Sequence, residues 1–387
     1  MMFTLKQIAA SFTAAAITFC PLLGGEAASL IKAAQKNDVT GAFGKMERWR
    51  CSMRDEGGTL LFSDSPEYVK EDGILYQDTV VGKARILFYH LNDSPTDKKV
   101  SVLLTREDFS PAKVTITRGG SAKPGRDFLR VGRTTQKAYF ADERHEELLL
   151  KEGQAQLLQQ DMAKKILRPG DLVYGVYDFE TNRPVKVTVL IHDAAVETER
   201  FVKTAKILPK DEHKLRGTFK GMNRVITAVK SYDAARDGLV YLPIGDEKND
   251  LFKDGIDATD GERTVNYGNY GVLYQLKFPV AEKSSLKLGL TPIGGVYSGA
   301  VKVFDEGESR KGKVIMTPRY GGYFGDKTMP YEAQNIIGQN TEDDKAVLTK
   351  YHELTSLGTY RGTKELFIEY SPPGASNLPA WLILAPG

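Results

Sequence analysis

Apolar and polar positions alternate with period two along much of this chain. Lys113-Val-Thr-Ile-Thr117 alternates strictly, Leu286-Lys-Leu-Gly-Leu290 does so cleanly, and Lys99-Val-Ser-Val-Leu-Leu104 follows the same rule. Such alternation predicts strands with one buried and one wetted face. Further strands are expected at Ala84–Leu91, Leu172–Tyr177, Val185–Ile191, Gly271–Phe278, Gly299–Phe304, Glu365–Tyr370 and Trp381–Leu384. Between them lie turn-forming runs such as Asn92-Asp93-Ser94-Pro95 and Pro372-Pro373-Gly374, whose residues preset or permit turn backbones. Residues 143–167 mix leucine pairs with Gly153 and Pro169, and predict a short strand near 147–151 and a helical turn near 159–166.

The expected fold class is mainly β, with two antiparallel β-sandwich-like domains and a short N-terminal helical segment at 29–50. The domain boundary falls in residues 198–224, where Lys203, Lys206, Lys210, Lys214, Arg216, Lys220 and Arg224 crowd around Pro209. This charge run reads as a solvated connector, with contact to an anionic cell-envelope polymer as the sharper alternative. The division is therefore 51–204 and 205–387. Residues 82–105 and 268–291 align at one offset and Gly73–Gln77 with Gly271–Gln275 at another. Two incompatible registers leave duplication open.

Before residue 29 the pattern changes. Lys6 precedes an apolar run from Ile8 to Leu23, diluted by Ser11, Thr13, Thr18 and Pro21, and Gly25-Glu26-Ala27 follows. Residues 1–28 are expected to be a secretory signal peptide, which makes the protein secreted or cell-surface with no membrane span after cleavage. Cys20 falls within the expected signal peptide, which leaves Cys51 as the single cysteine after cleavage. Stability must then come from core burial, without an internal disulfide. The net charge of +3 argues neither for nor against an anionic partner, and no basic stripe interleaved with aromatics marks a nucleic-acid binder.

Candidate chemistry is sparse. His90, His145, His192, His213 and His352 are too widely spaced to read as a zinc or copper site. They are expected on surfaces or in turns. Residues 246–261 are dense in oxygen ligands, and Asp246, Asp250, Asp254, Asp257 and Asp260 form a candidate calcium set, although Phe252 breaks the EF-hand pattern. Glu67, Glu71, Asp72, Asp246, Asp257, Glu365 and Glu369 are carboxylates that could supply an acid–base pair for polysaccharide hydrolysis. No Gly-x-Ser-x-Gly elbow and no phosphate-binding glycine loop occurs. Tyr267, Tyr270, Tyr297, Tyr320 and Tyr323 lie beside or near glycines and are candidate glycan-stacking rings on second-domain loops.

Several strings taken together resemble a known group. Gly73-Ile-Leu-Tyr76, Arg118-Gly119-Gly120, Arg216-Gly-Thr-Phe219, Gly255-Ile-Asp-Ala-Thr259, Gly268-Asn-Tyr-Gly-Val-Leu-Tyr274 and residues 372–379 are similar to secreted bacterial proteins associated with the copper amine oxidase N-terminal (stalk) domain. That resemblance implies an exported or cell-surface protein of unassigned activity. Amine oxidase chemistry is rejected: Thr264-Val-Asn-Tyr267-Gly268 is one residue short of the quinone-precursor motif and lacks its following acid, and closely spaced copper-binding histidines are missing. The expected function is non-enzymatic binding of a cell-envelope polymer or glycan by loops of the second domain. The alternative is a secreted polysaccharide hydrolase.

Overall fold

The computed structural model describes residues 44–305, 312–319, 322–324, 344–348 and 352–387. The expected signal peptide, residues 29–43 of the expected helical segment, and Cys20 lie outside them. In chain order the strands begin with β1 (Gly44–Arg48), β2 (Cys51–Glu56), β3 (Thr59–Ser63), β4 (Tyr68–Val69) and the long β5 (Gly73–Asn92). Next come β6 (Lys98–Thr105), β7 (Ala112–Ser121), helix α1 (Phe128–Ala141), β8 (Glu146–Leu150) and β9 (Ala155–Leu157). The second long strand, β10 (Leu172–Asp193), precedes helix α2 (Thr198–Phe201), β11 (Gly217–Lys220), β12 (Asn223–Ala228) and helix α3 (Ala234–Asp237). There follow β13 (Val240–Ile244), β14 (Lys253–Ile256), β15 (Arg263–Asn266), β16 (Leu273–Pro279), β17 (Ser285–Pro292) and β18 (Gly299–Asp305). The described strands end with β19 (Lys313–Thr317), β20 (Lys345–Leu348), β21 (Thr355–Arg361), β22 (Glu365–Tyr370) and β23 (Ala380–Pro386).

The protein is mainly β, as the alternation predicts, and the described strands form three sheets. Sheet I has the order β20-β1-β13-β23-β17-β21 and sheet II the order β19-β18-β22-β16-β12-β2. Alternate residues of both enter one core: Leu286, Leu288, Leu290, Leu382 and Leu384 from sheet I, Tyr274, Leu276, Phe278, Ile368 and Val301 from sheet II. These sheets make a sandwich, each contributing its apolar face. Sheet III runs β15-β14-β11-β3-β5-β10-β6-β9, with β4 added to β5 and β7 bridging β10 and β8. On one edge β10 pairs with β7 over Gly175–Thr181 and with β6 over Lys186–Asp193. The change of neighbour coincides with a register shift between Thr181 and Val185. Such an irregularity bends a strand, and the bent sheet encloses a second core including Ile86, Phe88, Val102, Val114, Phe179 and Val189.

Three expectations need correction. Residues 44–48 are strand, because β1 pairs in parallel with β13 and antiparallel with β20. The sheets are not purely antiparallel, since β1–β13, β12–β16, β3–β5 and β4–β5 run parallel. Histidines 90, 192 and 352 are buried, the first two at 0% exposure on strands. Pairing also crosses residue 204/205 in both directions: β1 and β2 join sheets I and II, while β11, β14 and β15 extend sheet III. The aligned segments 82–105 and 268–291 occupy different settings, as β5 and β6 share sheet III whereas β16 and β17 lie in opposite sheets.

The short strand and helical turn expected within 143–167 are found as β8 and a 3-10 turn at Gln160–Lys164. Helix α1 has no counterpart in the sequence reading. Asp127 caps it, accepting from the Arg130 amide at 3.1 Å. Its buried face ties sheet III to sheet II. Thr135 Oγ donates to Tyr174 O at 3.1 Å, the Ala300 amide donates to Gln136 Oε1 at 2.5 Å, and Gln136 Nε2 donates to Ser371 O. At Gly132 the helix closes on the 371–378 loop, and an added Cβ would sit 2.1 Å from Gly374 O. Only glycine permits that approach. Among the described residues no helix is long and apolar enough to cross a membrane.

Candidate functional site

The parallel ladders along β5 contain an inserted loop. Ser63 pairs with Phe88 and Tyr68 with Leu91. Four residues, 64–67, therefore stand opposite only Tyr89 and His90. The excess lifts the loop off the sheet, as an extra residue does in a bulge. Its backbone is pinned from below: the Leu91 amide donates to Glu67 O at 2.8 Å, and His90 Nδ1 lies 2.9 Å from Pro66 O. A carbonyl can only accept, so Nδ1 carries the proton and Nε2 accepts from Ser63 Oγ at 2.8 Å. Burial lowers the His90 pKa to about 4. Ser63 and His90 are both fully buried, so this pair holds the loop and is closed to a substrate.

Asp211 clamps the loop from the 209–214 segment. Its carboxylate accepts from Ser65 Oγ at 2.8 Å, the Glu67 amide at 2.9 Å and the His213 amide at 3.1 Å. The remaining two acids are differently placed. Asp64 is 9% exposed, and its Oδ1 is buried with no hydrogen-bond partner. Burial, then the charges of Glu67 and Asp211, push its carboxyl well above the ordinary range. Glu67 is half-buried; burial and then Asp211 raise it to about 7.

Tyrosines from separate segments surround these acids. Tyr68 is 40% exposed, while Tyr89 and Tyr270 are half-buried. Tyr89 meets Tyr174 edge-on at 5.9 Å, and Gly374 packs on both, since an added Cβ would lie 3.2 Å from each ring. The Tyr270 hydroxyl donates to Ser376 O at 2.5 Å. Burial raises the hydroxyl pKa of all three, and the charge of Glu67 or Asp64 adds to it. The site thus joins the β3–β4 loop, the end of β5, the turn before β16 and the 371–378 loop.

Of the expected glycan-stacking rings, Tyr270 belongs to this site. Tyr267 is half-buried, edge-on to Phe252 at 6.0 Å. Tyr323 is 52% exposed elsewhere, and Tyr320 lies outside the described residues. Tyr297 is 0% exposed and belongs to the sandwich core beside Phe324, at 6.2 Å. It is a packing residue: it bridges to Phe324, and its ring lies in the core despite the neighbouring glycines.

The calcium set is also corrected. Asp250 accepts from Arg224, Tyr274 Oη and the Gly245 amide. Asp257 pairs with Arg216 at 2.8 Å, Asp260 with Lys210 at 2.5 Å and Asp254 with Arg263 at 3.4 Å. Asp246 accepts from the amides of Lys248, Asn249 and Asp250. These carboxylates serve the fold through cations and turn amides instead of converging. Among the described residues no three acidic, histidine or cysteine side chains form a metal-binding group. The same pairs explain the basic 198–224 segment, where Lys210, Arg216 and Arg224 are structural counter-ions. Cys51 is a partly buried free thiol, pushed up to about 12 by burial.

Asp64, Tyr68 and Tyr89 were missed by sequence reasoning. The available signal was Asp64-Ser65-Pro66 interrupting two apolar stretches, which marks a loop but not what it faces.

The raised Glu67 pKa has a consequence for stability. The folded chain keeps this proton where the unfolded chain has lost it, so stability falls as pH rises from about 4.5 to about 7. Glu67→Gln removes that loss. The variant should match the native protein near pH 4 and exceed it by about 2 kcal/mol at pH 8, allowing for partial exposure. Urea unfolding at pH 4, 6 and 8 tests this; a difference independent of pH would refute it.

Comparison with known proteins adds no assignment. No family model matches the chain, and no curated protein does. Among solved structures, the N-terminal CBM22-1-CBM22-2 tandem domain from Paenibacillus barcinonensis Xyn10C aligns at 8% identity over 86% of this chain and 91% of that one, with a TM-score of 0.15. The 11S allergen from Cocos nucifera aligns at 9% identity over 82% and 90%, with a TM-score of 0.11. The coconut allergen cocosin aligns at 10% over 87% and 86%, with the same score. Such scores carry no argument about fold or function.

Proposed function

We propose that this is an exported, non-enzymatic protein that binds a glycan of the cell envelope or its surroundings, through the surface formed by Asp64, Glu67, Tyr68, Tyr89 and Tyr270. The observation carrying the proposal is Asp64 Oδ1, buried without a hydrogen-bond partner on the loop that leads into Glu67 and the partly exposed Tyr68. A buried acceptor without a donor is costly. Sugar hydroxyls supply donors, and aromatic rings supply the apolar contact that sugar faces use. The resemblance to exported bacterial proteins and the apolar N-terminal run support placement outside the cytoplasm.

Hydrolysis is the second reading, favoured by the half-buried Glu67, whose carboxyl burial and then the neighbouring Asp211 raise to about 7. A general acid works best with a pKa near the operating pH, and glycosidases use such carboxyl pairs. A glycan array with the purified chain, followed by a product screen on its hits, separates the two. Binding without turnover is expected. Turnover abolished by Glu67→Gln would establish the enzyme reading, and absence of both binding and turnover would end both.

A further inference from the structure

Buried acids elsewhere in the molecule follow a rule that this site breaks. Asp178 is held by Arg85, Asp250 by Arg224, Asp257 by Arg216 and Glu369 by Arg118. Each places a guanidinium against a carboxylate, which is how charges are tolerated inside proteins. At the candidate site Asp64, Glu67 and Asp211 are electrostatic neighbours, and among the described residues no lysine or arginine forms an ion pair with any of them. Asp211 is satisfied by hydroxyl and amide donors. Asp64 is 9% exposed, and its buried Oδ1 has no donor among the described residues.

The neighbouring cations are committed elsewhere. Arg216 touches the loop through Ser65 O at 3.3 Å, but its guanidinium also donates to Asp257, Leu75 O, Leu208 O and Thr259 Oγ1. Lys70 lies 3.7 Å from Asp93. The site is therefore an acidic surface lacking the positive charge that pairs the other buried acids among the described residues. Around it stand Tyr68, Tyr89 and Tyr270, and aromatic rings attract cations as well as sugar faces.

We infer that the ligand of this surface carries a cationic amine, and that within the glycan class it is an oligomer of unacetylated amino sugar. The inference rests on the glycan reading for the sugar and on the unpaired acids for the charge. An ammonium at the acids would take the position of the missing guanidinium and donate to Asp64, while the sugar ring lies against the tyrosines. Acetylation removes the charge and adds bulk at that nitrogen, so it should be rejected. Non-specific attraction does not predict such binding, because the chain carries a net charge of +3 and repels a polycation overall.

The test is calorimetric titration of the purified chain at pH 7 with a β-1,4-linked glucosamine tetramer, the N-acetylglucosamine tetramer and tetramethylammonium chloride. The glucosamine tetramer should bind at least about tenfold more tightly than its acetylated counterpart. That preference should vanish in the Asp64→Asn/Glu67→Gln double variant, whose unfolding midpoint at pH 8 should equal or exceed the native one. Equal affinity for both tetramers overturns the amine inference and leaves the glycan reading standing. Carboxylate-dependent binding of tetramethylammonium with neither sugar bound sustains the cation site and overturns the glycan reading. Binding of none of the three overturns both.

Discussion

Arg85→Met should lower the stability of the folded chain by about 3–5 kcal/mol, the range for breaking a buried ion pair from one side. Arg85 is 1% exposed. Its Nε and Nη2 donate to the two oxygens of Asp178 at 2.6 and 2.8 Å. Nη1 donates to Met222 O at 2.6 Å and Gly271 O at 3.0 Å, and Nη2 reaches Asn223 Oδ1 at 3.1 Å. Arg85 and Asp178 lie on sheet III, whereas Met222 and Gly271 lead into strands of sheet II, so one side chain joins the two sheets. Methionine fills similar space but strands a carboxylate and two carbonyls in the interior. Tyr139 Oη, 2.9 Å from Asp178 Oδ2, is then the one side-chain donor left to that acid among the described residues. Urea unfolding followed by circular dichroism measures the loss. The double variant Arg85→Met/Asp178→Asn should recover part of it, and a single-variant cost below about 1 kcal/mol would contradict this role.

Tyr297→Ala should cost a comparable amount, about 3–5 kcal/mol, through the cavity left in the sandwich core. The ring has no solvent contact, packs with Phe324 and lies with its hydroxyl 3.4 Å from that of Tyr370. Tyr297→Phe keeps the ring and should lose about 1 kcal/mol. Neither variant should change ligand affinity once corrected for the folded fraction. A folded Tyr297→Ala protein with native stability and weakened glycan binding would restore the loop-ring reading.

The strands were legible because one-sided burial imposes period two, and Leu286, Leu288 and Leu290 all enter the core they advertise. Sheet membership was not legible. Residues 44–63 send β1, β2 and β3 to three different sheets, and nothing local distinguishes a strand that pairs with Val240 from one that pairs with Lys83's neighbours on β5. Helix α1 was hidden by Val131, Gly132, Thr134 and Thr135, which weaken helical propensity; tertiary hydrogen bonds through Thr135 and Gln136 hold it.

The site was partly legible by residue type. Glu67 stood among the candidate acids and Tyr270 among the candidate rings, yet their meeting depends on segments near 64–68, 89, 211, 270 and 374–376. The aspartates of 246–261 suggested calcium because their counter-ions, Arg216, Arg224 and Lys210, sit earlier in the chain where they read as a connector. Each set explained the other only once paired in space.

The central claim is that the tyrosine and carboxylate surface at the β3–β4 loop is the ligand site. Tyr68 tests it most directly, since it is 40% exposed on a two-residue strand and its removal leaves the core intact. The measurement is the calorimetric affinity of the strongest array ligand for the native chain and for Tyr68→Ala, both checked for equal unfolding midpoints. The account predicts a loss of about tenfold or more, in line with removal of an aromatic anchor; unchanged affinity in a fully folded variant would contradict it.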